Sequence, residues 1–364
     1  MKKAAPAITS AAVAIFFIIS LFTPLHPEIK PDERVIFYPA YSFVNDGGEI
    51  TCNIHGHIFE PEEDSVFRKA LIHSILEATE DESRGDDVFN PYLAERIKPF
   101  LYDNEGGKSV SINLNGNRFT LAESESNGHL YAAINLGSVK NFSGRKIIDF
   151  TAATEPDDRR IFSGRSLLIP RKGISVISDI DDTIKESNVP DKKELIKNTF
   201  MRKFRPVKGM PELYRRLVKK GAAFHYVSGS PWQLYGPVSG FMKEAGFPEG
   251  SMHLKYLRVK DSSIIDFIAA DQLAFKVSSI EAILKDFPHR KFILIGDSGE
   301  HDPEVYTEIA SVHQGSILAV FIRDVNKSGE SPERYDRIKA MKGKVRFRLF
   351  RRADELKPLI RNIR

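Results

Sequence analysis

The sequence has a single cysteine, Cys52, among its 364 residues. An intrachain disulfide is therefore excluded, and so is a zinc site built from several thiolates. Cys52 lies in an apolar run, which predicts a free structural thiol inside a strand. Hydrophobic residues make up 41% of the chain and charged residues 28%. These fractions are those of an ordinary globular protein, and the length allows two domains.

A nucleic-acid recognition motif is also missing. The strongest basic cluster forms a strand end near the C-terminus and consists of Arg346, Arg348, Arg351 and Arg352. No recognition motif accompanies it, so we expect no nucleic-acid partner. Charge is nevertheless uneven, with a net −9 over residues 31–170 and +11 over residues 171–364. The basic half suits an anionic partner, but charge alone does not choose among phosphate esters, acidic lipids and nucleic acids.

The N-terminus resembles a targeting signal. Lys2 and Lys3 precede an uncharged, largely apolar run over residues 4–25. This pattern predicts a signal peptide within residues 1–30, and hence an exported protein in the periplasm or outside the cell. No small-x-small cleavage site follows, so the segment could equally remain as a membrane anchor, although it is near the lower length limit for a spanning helix.

Residues 31–170 predict a smaller, β-rich accessory domain. Short β-branched or aromatic runs are separated by turn signals such as Asn115-Gly116 and predict antiparallel strands. These runs cover residues 35–38, 50–59, 110–114, 119–121 and 130–136. One helix is predicted over residues 65–79 and an exposed acidic loop over residues 81–87. His55 and His57 alternate on one strand face, but without a third ligand nearby we favour surface or half-buried histidines over a metal site.

Beyond residue 170 the periodicity changes. Strands are predicted at 174–178, 223–228, 292–296 and 317–322, and they alternate with helices at 210–220, 232–245, 275–287 and 303–311. This alternation indicates repeated βαβ units and a parallel sheet with helices on both faces. Right-handed crossovers place the C-terminal ends of all its strands on one side, where distant segments can form one site.

The central motif is ISVISDIDDT at residues 174–183. A buried strand ends abruptly in Asp179, Asp181 and Asp182, and carboxylates clustered in this way repel one another unless a cation or a proton intervenes. A hard, oxygen-ligated cation such as Mg²⁺ fits this cluster. The alternative is a surface turn in which an aspartate caps the next helix.

Three later segments favour a site over a turn. In FHYVSGSPW at residues 224–232, a strand ends at Ser228, and Gly229 lets backbone N–H groups approach an anion. Lys276 begins a helix, although a solvated lysine is the usual explanation of any one lysine. In FILIGDSGEHD at residues 292–302, a third buried strand ends in acids, and Gly296 leaves room beside Asp297. The alternative for the first of these segments is a plain strand-to-helix turn.

The order of these four segments resembles that of the haloacid dehalogenase (HAD-like) superfamily. More narrowly, residues 178–185, 226–232 and 293–303 resemble the catalytic domain of phosphatidate phosphatases of the yeast actin-patch type. The likeness covers about residues 170–325. One departure is Gly229, where the family leads us to expect alanine. The resemblance implies an HAD-like Rossmannoid catalytic domain over residues 171–364.

The resemblance also implies a Mg²⁺-dependent phosphomonoesterase that forms an aspartyl-phosphate. Asp179 would be the nucleophile, and Asp181 would protonate the leaving alkoxide and then deprotonate water. Ser228, Gly229 and Lys276 would bind the phosphoryl group. The metal would be held by Asp179, Asp181 through its carbonyl, and Asp297, with Asp302 in support. Asp182 and Thr183 would shape the turn.

The implied substrate is phosphatidate, which would be converted to diacylglycerol, with an anionic membrane surface as a further partner. Basic residues between 184 and 222 could attract such a surface, but they could equally be a solvated helical face. They include Lys192, Lys193, Lys197, Arg202, Lys203 and Arg205. Two other functions stay open: a phosphatase for a soluble phosphate ester or a phosphoprotein, and a non-catalytic envelope binding protein.

Overall fold

The computed structural model describes residues 29–61, 65–80, 90–257, 272–325 and 332–361. The N-terminal part forms a nine-stranded sheet in the order β1-β3-β2-β9-β8-β5-β6, with β4 and β7 also paired to β3. All its pairings are antiparallel except the one between β2 and β9. The strands are β1 Arg34–Tyr38, β2 Ala40–Val44, β3 Glu49–Glu60, β4 Asp103–Asn104, β5 Ser111–Leu114, β6 Asn117–Thr120, β7 His129–Ser138, β8 Ile147–Ala152 and β9 Ser163–Ile169.

Local sequence explains how this sheet forms. Side chains of a strand alternate between its two faces, and β3 buries Ile50, Cys52 and Ile54 in one apolar cluster. The thiol is buried there as the sequence predicts. Asn115 and Gly116 both have positive φ, at 50° and 78°, which is the conformation of a two-residue hairpin turn between β5 and β6.

Two helices interrupt the β-rich part, α1 at Ser65–Ala78 and α2 at Pro91–Ile97. The helix predicted at residues 65–79 is thus confirmed, whereas the predicted loop at 81–87 lies outside the described residues. Asn90 caps α2 by accepting from two of its backbone N–H groups, each at 3.0 Å. The buried faces of both helices belong to the same apolar cluster as the first strand of the second sheet.

The C-terminal part is a six-stranded parallel sheet in the order β12-β11-β10-β13-β14-β15. Its strands are β10 Gly173–Ser178, β11 Ala223–Pro231, β12 Ser251–Lys255, β13 Arg290–Asp297, β14 Ile317–Arg323 and β15 Arg346–Phe350. The described helices around it are α3 Lys192–Ile196, α4 Met210–Lys219, α5 Tyr235–Ala245, α6 Leu273–Asp286, α7 Asp302–Val312, α8 Pro332–Ala340 and α9 Lys357–Arg361.

Helices cover both faces of the parallel sheet. The apolar sides of α4 and α5 pack in one cluster and those of α6, α7 and α8 in another. The predicted α/β class, with a β-rich sheet before a parallel sheet, is confirmed. The chain leaves β10 first toward β11 and β12, and later returns on its other side through β13. The carboxyl ends of β10 and β13 therefore border the crevice where ligands bind in sheets of this type.

The prediction of an exported protein, whose N-terminal segment is either cleaved or kept as an anchor, is contradicted, since no N-terminal hydrophobic helix is found in the part of the chain that the structure describes. A helix needs roughly 20 apolar residues to cross a bilayer. The longest helices in the described ranges, α1 and α6, have 14 residues each, and none there is long and apolar enough to span a membrane. Residues 1–28, which suggested the anchor, lie outside those ranges.

Candidate active site

Two carboxylates lie side by side where the strand order reverses. Asp179 directly follows β10 and Asp297 ends β13. Parallel pairing sets Ser178 opposite Ile295, and the backbone N–H of Asp179 donates to the carbonyl of Ile295 at 3.0 Å. Both aspartate side chains are almost completely buried. Apolar strands thus carry two acids into the interior at one edge of the sheet.

Lys276 joins these acids from the first turn of α6. Its Nζ lies 2.9 Å from Asp179 Oδ1 and 2.6 Å from Asp302 Oδ1. Asp302 also accepts from the backbone N–H of Asp297 at 3.1 Å through Oδ2. Gly296 makes this approach possible, because a Cβ there would lie 2.2 Å from Asp302 Oδ2. Lys276 is thus buried among the predicted site residues rather than solvated.

The charges in this cluster do not balance. Besides Asp179, Asp297 and Asp302, Glu300 lies 3.5 Å from Lys276 Nζ, so four carboxyl groups share one ammonium. Burial raises the pKa of Asp297 well above its usual range, and neighbouring carboxylates raise it further. Burial likewise raises the pKa of Asp179, against the opposing effect of Lys276. The cluster would be stabilised by protons or by a further cation.

The geometry suits a cation. Asp179, Asp297 and Asp302 each offer an oxygen, and these atoms lie within 4.8 Å of one another. Within the described residues, Asp179 Oδ2 and Asp297 Oδ2 are buried and have no hydrogen-bond partner. Unpartnered carboxylate oxygens are the ligands that Mg²⁺ prefers. Asp302 uses both of its oxygens on protein donors, which fits a supporting role rather than direct ligation.

Asp181 occupies a different environment from Asp179. Its Oδ1 lies 2.6 Å from Lys185 Nζ and accepts from the Ser187 hydroxyl at 2.6 Å, while Oδ2 accepts from the Ser230 hydroxyl at 2.7 Å. Burial alone would raise the pKa of Asp181. The Lys185 ammonium and these hydrogen bonds outweigh burial and lower the pKa to about 2. Asp181 is therefore ionised at neutral pH, and its carboxylate lies outside the group of possible metal ligands.

The end of β11 brings the remaining predicted residues to the same place. Ser228 Oγ lies 3.4 Å from Asp181 Oδ2 and accepts from the backbone N–H of Ser230 at 3.1 Å. Gly229 follows it and lines a small cavity beside Asp181. The structure thus brings Asp179, Asp181, Ser228, Gly229, Lys276, Asp297 and Asp302 together at one sheet edge.

Asp182 shapes the turn after the first motif. It has a positive φ of 52°, and its carboxylate accepts from the backbone N–H groups of Ser187, Asn188 and Val189 at 2.9, 2.9 and 2.6 Å. A carboxylate that accepts three backbone hydrogen bonds fixes a loop rather than reacting. Thr183 is fully buried beside it.

Several residues of the site escaped the sequence analysis. Lys185 and Ser187 lie in the turn after the first motif, and Ser230 lies two residues after Ser228. A spacing of two along an extended segment could have indicated Ser230, because alternate residues share a face. Gln272 approaches from another segment, and no local pattern marks it. Glu300 lies within the segment 292–302 but was not singled out among its acids.

His55 and His57 are buried, not half-buried as expected. The ring of His129 on β7 packs against both side chains. Its ring Nδ1 lies 2.9 Å from Nε2 of His55, and its ring stacks on His57 with centroids 4.3 Å apart. In the part of the chain that the structure describes, these histidines form no cluster that could hold a metal ion.

Comparisons with known proteins agree with this geometry. Residues 174–324 match the family model described as the catalytic domain of phosphatidate phosphatase APP1. The phosphatidate phosphatase APP1 of Saccharomyces cerevisiae is 40% identical over 160 residues, which cover 43% of this chain and 27% of the yeast protein. An uncharacterized protein of Schizosaccharomyces pombe is 35% identical over 162 residues, covering 43% and 26%.

The chain thus spans about a quarter of the length of these curated relatives. The matched segment begins in β10 and ends just after β14, so it contains all seven site residues. Residues 174–324 therefore match the catalytic domain of phosphatidate phosphatase APP1.

Proposed function

We propose that the protein is a Mg²⁺-dependent phosphomonoesterase of the HAD-like type and that phosphatidate is its substrate. The observation that carries this proposal is the pair formed by Asp179 and Asp297 at the reversal of strand order, with Lys276 against one of them. Such a site combines a nucleophilic carboxylate, an ammonium for phosphoryl oxygens and oxygen ligands for a hard cation.

Asp179 is the nucleophile in this mechanism. One of its oxygens attacks phosphorus, the bond to the leaving alkoxide breaks, and an aspartyl-phosphate forms. Lys276 and the hydroxyl of Ser228 hold phosphoryl oxygens. A Mg²⁺ ion held by Asp179 and Asp297 would supply charge stabilisation for the phosphoryl group. Water then attacks phosphorus and restores the free carboxylate.

Asp181 moves the protons. In the free protein Lys185 keeps it ionised, which suits a base for the attacking water. To protonate the leaving oxygen it must first gain a proton. The negative charge of an entering phosphate raises the pKa of a neighbouring carboxyl group, which favours that gain.

The choice of phosphatidate rests on the name of the yeast relative. The basic residues attract an anionic lipid surface less than the sequence suggested. Four of the six candidate cations between residues 184 and 222 are paired with carboxylates, namely Lys193 with Glu80, Arg202 with Glu194, Lys203 with Glu244 and Arg205 with Glu186. Paired cations attract an anionic surface less, which leaves room for a soluble phosphate ester or a phosphoprotein as substrate.

Two assays test the proposal. A chromogenic phosphate ester assayed with and without Mg²⁺ separates an enzyme from a non-catalytic binding protein. The values of kcat/KM for phosphatidate in mixed micelles and for soluble phosphate monoesters then identify the substrate class, with the anionic lipid content varied. We expect a preference for phosphatidate. A preference for a soluble ester that ignores the lipid surface would favour the alternative.

A further inference from the structure

We propose that Gln272 positions the water that hydrolyses the aspartyl-phosphate, and that this chain departs from the family's alanine at 229 because the Gln272 side chain occupies the space of a Cβ there. This inference rests on the proposed function. The sequence does not show that these two residues are in contact, because they are more than forty positions apart.

The Gln272 side chain lies so close to Gly229 that no side chain fits at position 229. A Cβ built on Gly229 would lie 1.4 Å from Oε1 of Gln272 and 1.7 Å from its Cδ. Such distances are impossible for non-bonded atoms, so an alanine at 229 would force the amide out of its position. Gly229 therefore has a steric function beside any approach of its backbone to an anion.

The amide group of Gln272 is oriented but incompletely bonded. Its Nε2 donates to Glu300 Oε1 over a long 3.4 Å, which directs the other end of the amide away from that carboxylate. Oε1 is buried and has no donor within the described residues. Burying a carbonyl oxygen without a hydrogen-bond donor costs free energy. We therefore expect a donor to bind at Oε1 of Gln272.

A cavity beside this amide can supply that donor. It has a volume of about 20 Å³, and its lining includes Asp181, Gly229, Ser230, Gln272 and Glu300. That volume accommodates roughly one water molecule. A water here would face the carboxylate of Asp181, which accepts protons, and the carbonyl oxygen of Gln272, which can only accept a hydrogen bond.

These partners match the needs of the hydrolytic step. The water oxygen forms a bond to phosphorus, the bond between phosphorus and the Asp179 oxygen breaks, and its electron pair returns to the Asp179 carboxylate. One water proton passes to Asp181, and the other stays on the released phosphate. Gln272 accepts a hydrogen bond from the second proton and thereby fixes which lone pair faces phosphorus. The first step, in which Asp179 attacks the substrate, does not use this water.

The test separates the two steps. The full-length protein with Mg²⁺ is mixed with a chromogenic phosphate ester, quenched in acid, and analysed for phosphate on Asp179 by mass spectrometry. In Gln272→Leu we expect the release of the alcohol in a single turnover to stay within about twofold of the native rate. Hydrolysis should slow by about 10²-fold, since that is the typical effect of misplacing a reacting group. Phosphoenzyme should accumulate as a consequence.

Gln233 provides a matched control. It is another glutamine with a buried, unpaired Oε1 among the described residues, but it does not line the cavity. Gln233→Leu should show the native level of phosphoenzyme. Gly229→Ala should also accumulate phosphoenzyme, whatever its effect on phosphate binding in the first step. Adding Gln272→Ala to it should slow hydrolysis no further, because both changes remove the same interaction.

Each result has one meaning. Equal phosphoenzyme levels in Gln272→Leu and Gln233→Leu overturn the inference, and so does an equal slowing of both steps. If circular dichroism shows that Gln272→Leu does not fold, the comparison of Gly229→Ala with Gly229→Ala/Gln272→Ala decides in its place. A native protein that never forms phosphoenzyme overturns the proposed function itself, before any variant is considered.

Discussion

Lys185 Nζ lies 2.6 Å from Asp181 Oδ1, four residues apart in one tight turn, and both side chains are buried. This ion pair sets the charge of the proposed proton-transfer group. The pKa of Asp181 is about 2 in the folded protein against about 3.9 in an unfolded chain. The stabilisation is therefore present above about pH 4 and is lost as the pH falls toward 2.

Lys185→Met should remove this stabilisation and leave a buried carboxylate without its cation. We expect a loss of roughly 3 kcal/mol in the free energy of unfolding at pH 7, measured by urea titration. The loss should be smaller near pH 3, where the carboxyl group can take up a proton. Lys193→Met, which removes a more exposed partner of Glu80, should have little effect, because solvent screens this surface pair. Equal effects of the two variants would contradict this account.

Asp179→Asn should abolish turnover, because an amide oxygen cannot form the acyl phosphate. We expect a fall in kcat of about 10⁴-fold or more, with the circular dichroism spectrum unchanged. Asp181→Asn should reduce turnover by about 10² to 10⁴-fold, since an amide cannot shuttle the proton. Near-normal turnover by the first variant would end the assignment of the nucleophile.

Asp297→Asn should have opposite effects with and without metal. Its carboxylate is buried among other acids, which raises its pKa, so its charge destabilises the metal-free protein at neutral pH. Replacing it should raise or preserve the melting temperature in EDTA. The increase in melting temperature that Mg²⁺ gives the native protein should disappear, as should Mg²⁺ binding in calorimetry. A variant that keeps the native response to Mg²⁺ would exclude Asp297 as a ligand.

The buried histidines should make the protein sensitive to acid. Burial lowers the pKa of His57 to about 4, whereas an unfolded histidine has a pKa near 6.5. Between these values the unfolded chain binds the proton and the folded chain does not, so stability falls as the pH drops below about 6.5. This single group should cost roughly 3 kcal/mol by pH 4.

Two variants measure how much His57 contributes to the loss of stability at low pH. His57→Gln keeps a donor for Asn104 Oδ1, which lies 2.8 Å from His57 Nε2, and removes the titration. Thermal unfolding between pH 7.5 and 4.5 should show a shallower loss of stability than in the native protein. His73→Gln, at an exposed position on α1, should leave the slope unchanged. The same slope in all three proteins would contradict the prediction.

The sequence predicted the parallel sheet because short apolar strands alternate with amphipathic helices. The apolar residues of the helices recur with the helical period of about 3.6 residues, which distinguishes them from the strands. The sequence also predicted the acids and Lys276, since each stands at a strand end or helix start in a fixed order. It missed the strand at Ser251–Lys255, which follows a glycine-proline segment and has only five residues. Gln272 could not be predicted, because its position depends on how distant segments pack.

The groups that surround Asp181 could not be predicted from the sequence either, for a different reason. Three carboxylates within the four residues 179–182 indicated only that a cation or a proton relieves their repulsion. In the fold, however, Asp181 turns to Lys185 while Asp179 faces Lys276, and Asp182 binds backbone N–H groups. The direction of each side chain depends on backbone dihedral angles within the turn, which the pattern of residue types does not specify.

Helices α1 and α2 have a consequence for folding cooperativity. Ile75 and Ile97 belong to the apolar cluster that also contains Val176 of the catalytic sheet, and Arg96 donates to the carbonyl of Thr199 at 2.8 Å. A fragment cut at residue 170 would expose this cluster to water. The two sheets should therefore unfold in a single transition, and the catalytic half should not be separable by proteolysis into a stable fragment.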